Sequence, residues 1–380
     1  MVGAMARASD IDTELAQAPA DDRLPERAIK GRGAVSNRAG RYEPALYERV
    51  DDGWTDPGAD DDPAPPRTTL TRDTSRTIVA RNNSPDVPFD RSINPYRGCE
   101  HGCVYCFARP THAWLGLSAG LDFETKLLFK PEAAKLLEAE LRRPGYRPAV
   151  MALGTNTDPY QPVERRLRIT RSVLEVLAAF NHPVGIVTKS ALVTRDIDIL
   201  APMAAKRLAR VYISVTTLDP ALAAKLEPRA PTPWRRLGAV KALAEAGVPV
   251  GVMVAPVIPA LTDAEMERIL EQAAAHGADS AGYVLLRLPL EIKELFEEWL
   301  EAHAPRKATR VLSLVRQTRE GALYDPRWGK RQTGTGPYAA LIARRFQLAI
   351  HRYGLDRRSW KFDLTVFRPP ARSGDQLALF

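Results

Sequence analysis

Five short runs of Val, Ile, Leu and Met recur along this 380-residue chain at near-constant spacing, and that rhythm leaves few folds open. The runs are 149–153, 184–187, 211–215, 248–254 and 283–286, and their starts lie 27 to 37 residues apart. Continuous apolar runs of this length suit strands buried on both faces. The segments between them, such as 168–180, 233–246 and 263–276, carry helical periods. One strand and one helix per repeat implies parallel strands joined by right-handed crossovers. The expected fold class is therefore α/β, with the sheet closing into a partial or full (β/α) barrel. Reactive groups in such barrels sit on the loops that follow strands.

The chain's three cysteines all fall within eight residues, as Cys99, Cys103 and Cys106, and an odd number cannot be fully paired by disulfides. A shared metal centre is the economical reading. Structural zinc prefers a closed set of four protein ligands, whereas a cubane iron–sulfur cluster held by three thiolates keeps one iron open for chemistry. Gly98 and Gly102 let the loop curl, and Tyr105 is placed to wall one side. A zinc knuckle with His101 or His112 as fourth ligand, or buried thiols that only pack, are the alternatives.

The Cys-x3-Cys-x2-Cys spacing with its aromatic at 105 resembles the signature of the radical S-adenosylmethionine (SAM) superfamily. The resemblance implies a 4Fe–4S cluster on Cys99, Cys103 and Cys106. It also implies SAM chelated at the open iron and cleaved reductively to a 5′-deoxyadenosyl radical, with a low-potential flavodoxin- or ferredoxin-type donor. Gly154, Thr155 and Asn156 follow the first run and match the superfamily's segment that binds the SAM amino group. The usual acidic residue there is replaced by Asn156 or displaced to Asp158. Lys189 ends the second run, Ser214 and Thr216 the third, and Val254 lies in the apolar end of the fourth, fit to pack on adenine.

From about Ser92 to Leu290 the chain is most similar to the branch containing spore photoproduct lyase. In that branch a lysine and a serine after successive strands contact SAM, and Lys189 and Ser214 match them. The lyase returns hydrogen to its product from a further cysteine, which this chain lacks. If the reaction is similar, either a tyrosine replaces it, with Tyr96, Tyr160 and Tyr283 as candidates, or the product radical reclaims hydrogen from 5′-deoxyadenosine. The implied activity is repair or modification of DNA or another nucleic acid. A radical SAM enzyme that modifies a protein or matures a cofactor, and a non-catalytic metal-stabilised nucleic-acid-binding module, are the other readings.

The remaining chain divides by composition. Residues 1–75 are rich in Ala, Asp, Pro, Gly and Arg and read as a mostly disordered extension, within which 30–34 is a small basic piece read as a linker. Residues 76–304 make the barrel. Residues 305–362 form a helical, basic region in which Arg327, Trp328, Lys330, Arg331, Arg344 and Arg345 suit either nucleic acid or the wet face of a helix buried through Leu341, Ile342, Phe346 and Ile350. Residues 363–380 read as a flexible tail. Its last five, Gln376 to Phe380, resemble the peptide by which bacterial repair proteins dock to the sliding clamp. A net charge of +8 permits a polyanionic partner. No run approaches the roughly 20 apolar residues of a membrane span, and no signal-peptide core precedes Asp10 and Asp12. The expected compartment is the cytoplasm, and no membrane partner is expected.

Overall fold

The computed structural model describes residues 28–42, 67–356 and 360–371. Its strands are β1 (Thr69–Arg72), β2 (Val79–Arg81), β3 (Arg91–Ile93), β4 (Tyr96–Arg97), β5 (Lys126–Phe129), β6 (Met151–Leu153), β7 (Val184–Thr188), β8 (Ala209–Ser214), β9 (Val250–Val257) and β10 (Ser280–Leu285). Seven of them form one sheet in the order β10-β9-β8-β7-β6-β3-β2. Every neighbouring pair in it is parallel except β2 with β3. Its edge strands β10 and β2 do not pair with each other among the described residues, so the α/β architecture is a partial barrel. All five apolar runs are strands of it.

Register divides these strands into two faces. Val184 and Ile186 of β7, Val211 and Ile213 of β8, and Val250, Val252 and Val254 of β9 join the main core, which also takes in residues of the outer helices. The intervening positions face inward: Ala152 pairs with Gly185, Tyr212 with Gly251, Ser214 with Met253, and Met253 with Gly282. The glycines of this inner wall make room for its larger side chains: a Cβ on Gly251 would stand 2.4 Å from the Tyr212 ring, and one on Gly282 2.7 Å from the Met253 sulfur.

The helices follow from apolar spacing and simple caps. Helix Ile169–Ala179 buries Ile169, Val173, Leu174 and Leu177 at helical intervals. In helix Pro220–Leu226, Asp219 caps the start by accepting from Ala221 N at 2.8 Å, and Pro220 takes a first-turn position where no N–H is missed. Helix Gly336–Arg352 buries Ala339, Ile342, Phe346, Ala349 and Ile350. At about 1.5–3 kcal/mol for each large apolar side chain fully buried, it belongs to the core. Leu341, expected in its buried stripe, is instead half exposed.

Both ends of the chain depart from expectation. A second sheet, β1-β5-β4, pairs 69–72 with the strand beside the cysteine loop. Residues 28–42 are not a linker: the Gly33 and Ala34 N–H groups donate to Glu124 at 3.0 and 2.8 Å. At the other end, residues 363–371 are pinned across the bottom of the barrel. Asp363 N donates to the Arg207 carbonyl, Arg368 N donates to that of Phe180, and Phe367 packs on Tyr146 and His182. The peptide Gln376 to Phe380 lies outside the described residues. No helix is long and apolar enough to cross a membrane among those described.

Candidate active site

The cysteine loop leaves β4 and sits over the C-terminal ends of β6, β7 and β8, held there by buried polar side chains. Gln161, fully buried, accepts from Glu100 N at 2.9 Å and donates to the Gly98 carbonyl at 3.1 Å, so it clamps the backbone on both sides of Cys99. Arg109, also fully buried, donates to the carbonyls of Cys103 at 2.8 Å, Gly102 at 3.1 Å and Gly120 at 2.8 Å, and pairs with Glu124 at 2.5 Å. Glu124 is the same carboxylate that receives Gly33 and Ala34. Residues 28–42 form a strap that passes so close that a Cβ on Gly33 would stand 1.7 Å from the Gly102 oxygen. Glycine at 33 is therefore required by contact.

All three thiols are free of disulfides; Cys99 and Cys103 are buried and Cys106 is half-buried. Burial first, then Asp158 and the neighbouring Cys103 and Cys106, push the Cys99 thiol well above the ordinary range. Burial also pushes Cys103 up, against the pull of the Lys189 ammonium. Three thiols in one another's field ionise together only with cationic compensation, which the irons of a cluster provide. Among the described residues no three His, Cys, Asp or Glu groups converge on a single-ion site. Of the two histidines named for a zinc knuckle, His101 faces Asp158 through Nδ1 at 3.3 Å and His112 Nε2 lies 3.0 Å from the Lys126 carbonyl, while His112 Nδ1 is buried without a hydrogen-bond partner among the described residues.

Asp158 ties the loop to the barrel. It accepts from Thr188 Oγ1 at 2.6 Å, Lys189 N at 2.8 Å and Tyr160 N at 2.9 Å, besides facing His101. Burial works to raise its pKa, but His101 and these donors outweigh burial and hold it down at about 2. Asp158 is thus a brace, fully occupied. Beside it Gly154 has φ +85°, and a Cβ there would lie 1.8 Å from the Val187 oxygen. Only glycine lets β6 turn against β7 at this point.

Two groups of side chains separate at the strand ends. The side chains of Thr155, Asn156, Lys189 and Ser214 make no hydrogen bond or ion pair among the described residues, and Lys189 Nζ lies 5.7 Å over the Tyr105 ring. The Tyr105 and Thr216 hydroxyls are already engaged. Tyr105 donates to Glu227, and Thr216 Oγ1 lies 2.7 Å from Glu227 Oε1 and 3.1 Å from the Ala255 carbonyl. Buried Arg236 donates to Glu227 and, at 3.2 Å, to the Ser214 carbonyl.

The expected tyrosines are not brought together. Tyr283 packs on Phe346 of the outer helix with ring centroids 4.7 Å apart, so it and its register partner Val254 face away from the barrel interior. This corrects both assignments: an unbroken apolar run carries no period to say which face a residue takes. Tyr96 is buried and donates to Glu164. Burial and that carboxylate raise its pKa and keep it protonated. Tyr160 is buried beside Asp196, with the Arg195 guanidinium 5.9 Å from its ring, and burial raises its pKa too. The tyrosine that does line the interior is Tyr212, in register with Val187 and Gly251.

A family model described as the radical SAM superfamily matches residues 93–273, which span the cysteine loop and strands β6 to β9. Uncharacterised proteins of Mycobacterium tuberculosis and Mycobacterium bovis are each 40% identical over 237 residues, covering 62% of this chain and 70% of theirs. The chain belongs to the radical SAM superfamily. Radical SAM enzymes use a 4Fe–4S cluster and SAM and need a reducing electron donor, and the non-catalytic metal-stabilised module is thereby set aside. A protein of Methanocaldococcus jannaschii is 27% identical over 173 residues, covering 46% of this chain and 62% of its own. The fold is shared with a spore photoproduct lyase variant at TM-score 0.53 and 16% identity, covering 75% of this chain and 80% of that one. A lyase double variant with bound AdoMet and dinucleoside spore photoproduct has TM-score 0.51 at 16% identity, covering 75% and 78%.

Proposed function

We propose that this radical SAM enzyme holds its cluster on Cys99, Cys103 and Cys106 and acts on a nucleic acid, with DNA repair or modification related to the spore photoproduct lyase reaction as its task. The observation that carries the reading is the set of unspent side chains Thr155, Asn156, Lys189 and Ser214 gathered at the strand ends beneath a loop of free thiols. Lys189 forms no ion pair among the described residues, so its charge is available to the SAM carboxylate. Thr155 and Asn156 offer acceptors to the SAM amino group, and Ser214 reaches inward toward the ribose. When bound, cluster and SAM supply the reductive cleavage that starts radical chemistry. The protein's part is to orient SAM, to hold the loop rigid through Gln161, Arg109 and Asp158, and to exclude water.

The lyase fold, seen elsewhere with a dinucleoside photoproduct, supports a nucleic-acid substrate. The basic C-terminal residues lend little: Arg327, Lys330, Arg331 and Arg345 are committed to Asp325, Glu320, Asp86 and Glu267. Mass spectrometry after anaerobic incubation with irradiated and undamaged DNA tests the reading. An altered nucleotide formed with 5′-deoxyadenosine is expected. Turnover of SAM with DNA unchanged would transfer the proposal to a protein or cofactor substrate. Recruitment to a sliding clamp by Gln376 to Phe380 predicts that removing those five residues abolishes clamp pull-down; equal retention refutes it.

A further inference from the structure

We propose that a cationic recess against the cysteine loop is the docking surface for an acidic one-electron donor protein of flavodoxin or ferredoxin type. The inference rests on the reading of that loop as the cluster site. The recess, a cavity of about 640 Å³, includes Lys30, Arg32, Arg67, Arg166 and Arg229 in its lining, opposed by the single carboxylate Glu100. With Glu100 paired to Arg229, the exposed cations Lys30, Arg67 and Arg166 of this concavity face no carboxylate of its lining.

Two features mark the recess as a site for an anionic surface. Glu100 follows Cys99 directly and is buried, and its carboxylate is taken by Arg229 at 2.9 Å and by the Thr68 hydroxyl at 2.9 Å, so it is not free to neutralise the rest. Lys30, Arg67 and Arg166 are exposed and form no ion pairs among the described residues. Location then chooses the partner. One wall of the recess is the cysteine loop itself, since Arg229 N also donates to the His101 carbonyl at 3.3 Å. None of Thr155, Asn156, Lys189 or Ser214 lines it, so a docked protein approaches the loop without blocking the SAM side. The donor loses one electron, this chain accepts it, and no bond is made or broken at the recess.

The test is the double variant Arg67→Glu, Arg166→Glu, whose side chains are exposed and form no ion pair among the described residues. Binding of a bacterial flavodoxin to the cluster-loaded protein is measured against ionic strength, beside 5′-deoxyadenosine formation driven by reduced flavodoxin or by dithionite. The variant is expected to bind flavodoxin roughly tenfold more weakly at low salt, with a flatter salt dependence. Flavodoxin-driven product should fall in proportion, while dithionite-driven product and iron content stay unchanged. Undiminished flavodoxin binding with dithionite activity intact overturns the docking proposal. Loss of single-stranded DNA binding with flavodoxin binding retained overturns it in favour of nucleic acid. Absence of dithionite-driven product in the unsubstituted protein refutes instead the cluster reading on which the proposal rests.

Discussion

Replacing Glu124 by Gln isolates what holds the cysteine loop in place. The carboxylate is fully buried and serves three donors: Arg109 at 2.5 Å, Ala34 N at 2.8 Å and Gly33 N at 3.0 Å. Gln keeps the volume and one acceptor, but it leaves the Arg109 guanidinium without a counter-ion at zero exposure and turns an NH2 toward one of its former donors. Removing one partner of a buried pair costs about 3–5 kcal/mol. At about 2 °C per kcal/mol for a large domain, the thermal midpoint should fall by about 6–10 °C. The loss should be local as well as global. The strap at 28–42 loses its main anchor, so limited proteolysis should cut at Arg32 or Arg38 early in the variant and late in the parent. The assay is a thermal melt beside a proteolysis time course, and Gly33→Ala, which forces a methyl against the Gly102 carbonyl, should reproduce the early cleavage. A variant as stable as the parent, with an equally protected strap, would refute the role given to this carboxylate.

Two further outcomes follow from the site. Lys189→Ala should weaken SAM binding about 10- to 100-fold, the worth of a charged hydrogen bond, with little change in the melting temperature, whereas Thr216→Val should lower stability and spare SAM affinity because that hydroxyl already serves Glu227; equilibrium dialysis and melts separate them. Burial lowers the pKa of both His112 and His182 from the ordinary 6.5 to about 4. The unfolded chain therefore takes up protons first, and stability present above pH 6.5 should be lost as the pH falls toward 4, by about 3 kcal/mol per histidine. Denaturant midpoints at pH 7.5 and pH 5 check this, and equal values would contradict it.

The strand rhythm and the cysteine spacing were both legible because each is a local pattern that tertiary contact reinforces. The five apolar runs became β6 to β10, and three of the amphipathic segments became helices. Facing was not legible, because a run such as Val250–Val254 is apolar on both sides and conceals that Val254 turns outward while Met253 turns inward. The braces were missed for a different reason. Arg109, Gln161, Glu124 and Glu227 are polar residues that read as surface in one dimension, and only the folded chain shows them buried against distant backbone. The short strands β1 to β5 and the strap at 28–42 lack a sustained period, since they are fixed by long-range hydrogen bonds such as Ala34 to Glu124. One signal was available: Arg109 and Glu124 flank a loop that three cysteines already marked, and opposite charges beside such a loop are candidates to hold it.

The central claim is that Cys99, Cys103 and Cys106 hold a cluster with one iron open to SAM. Anaerobic reconstitution, with iron and sulfide counted and the electron paramagnetic resonance of the reduced protein recorded before and after adding SAM, tests it most directly. The account predicts about four irons and four sulfides per chain, a spectrum that changes when SAM binds, and loss of both on changing any one of the three cysteines to alanine. A colourless protein holding a single zinc, or a cluster whose spectrum ignores SAM, would contradict it.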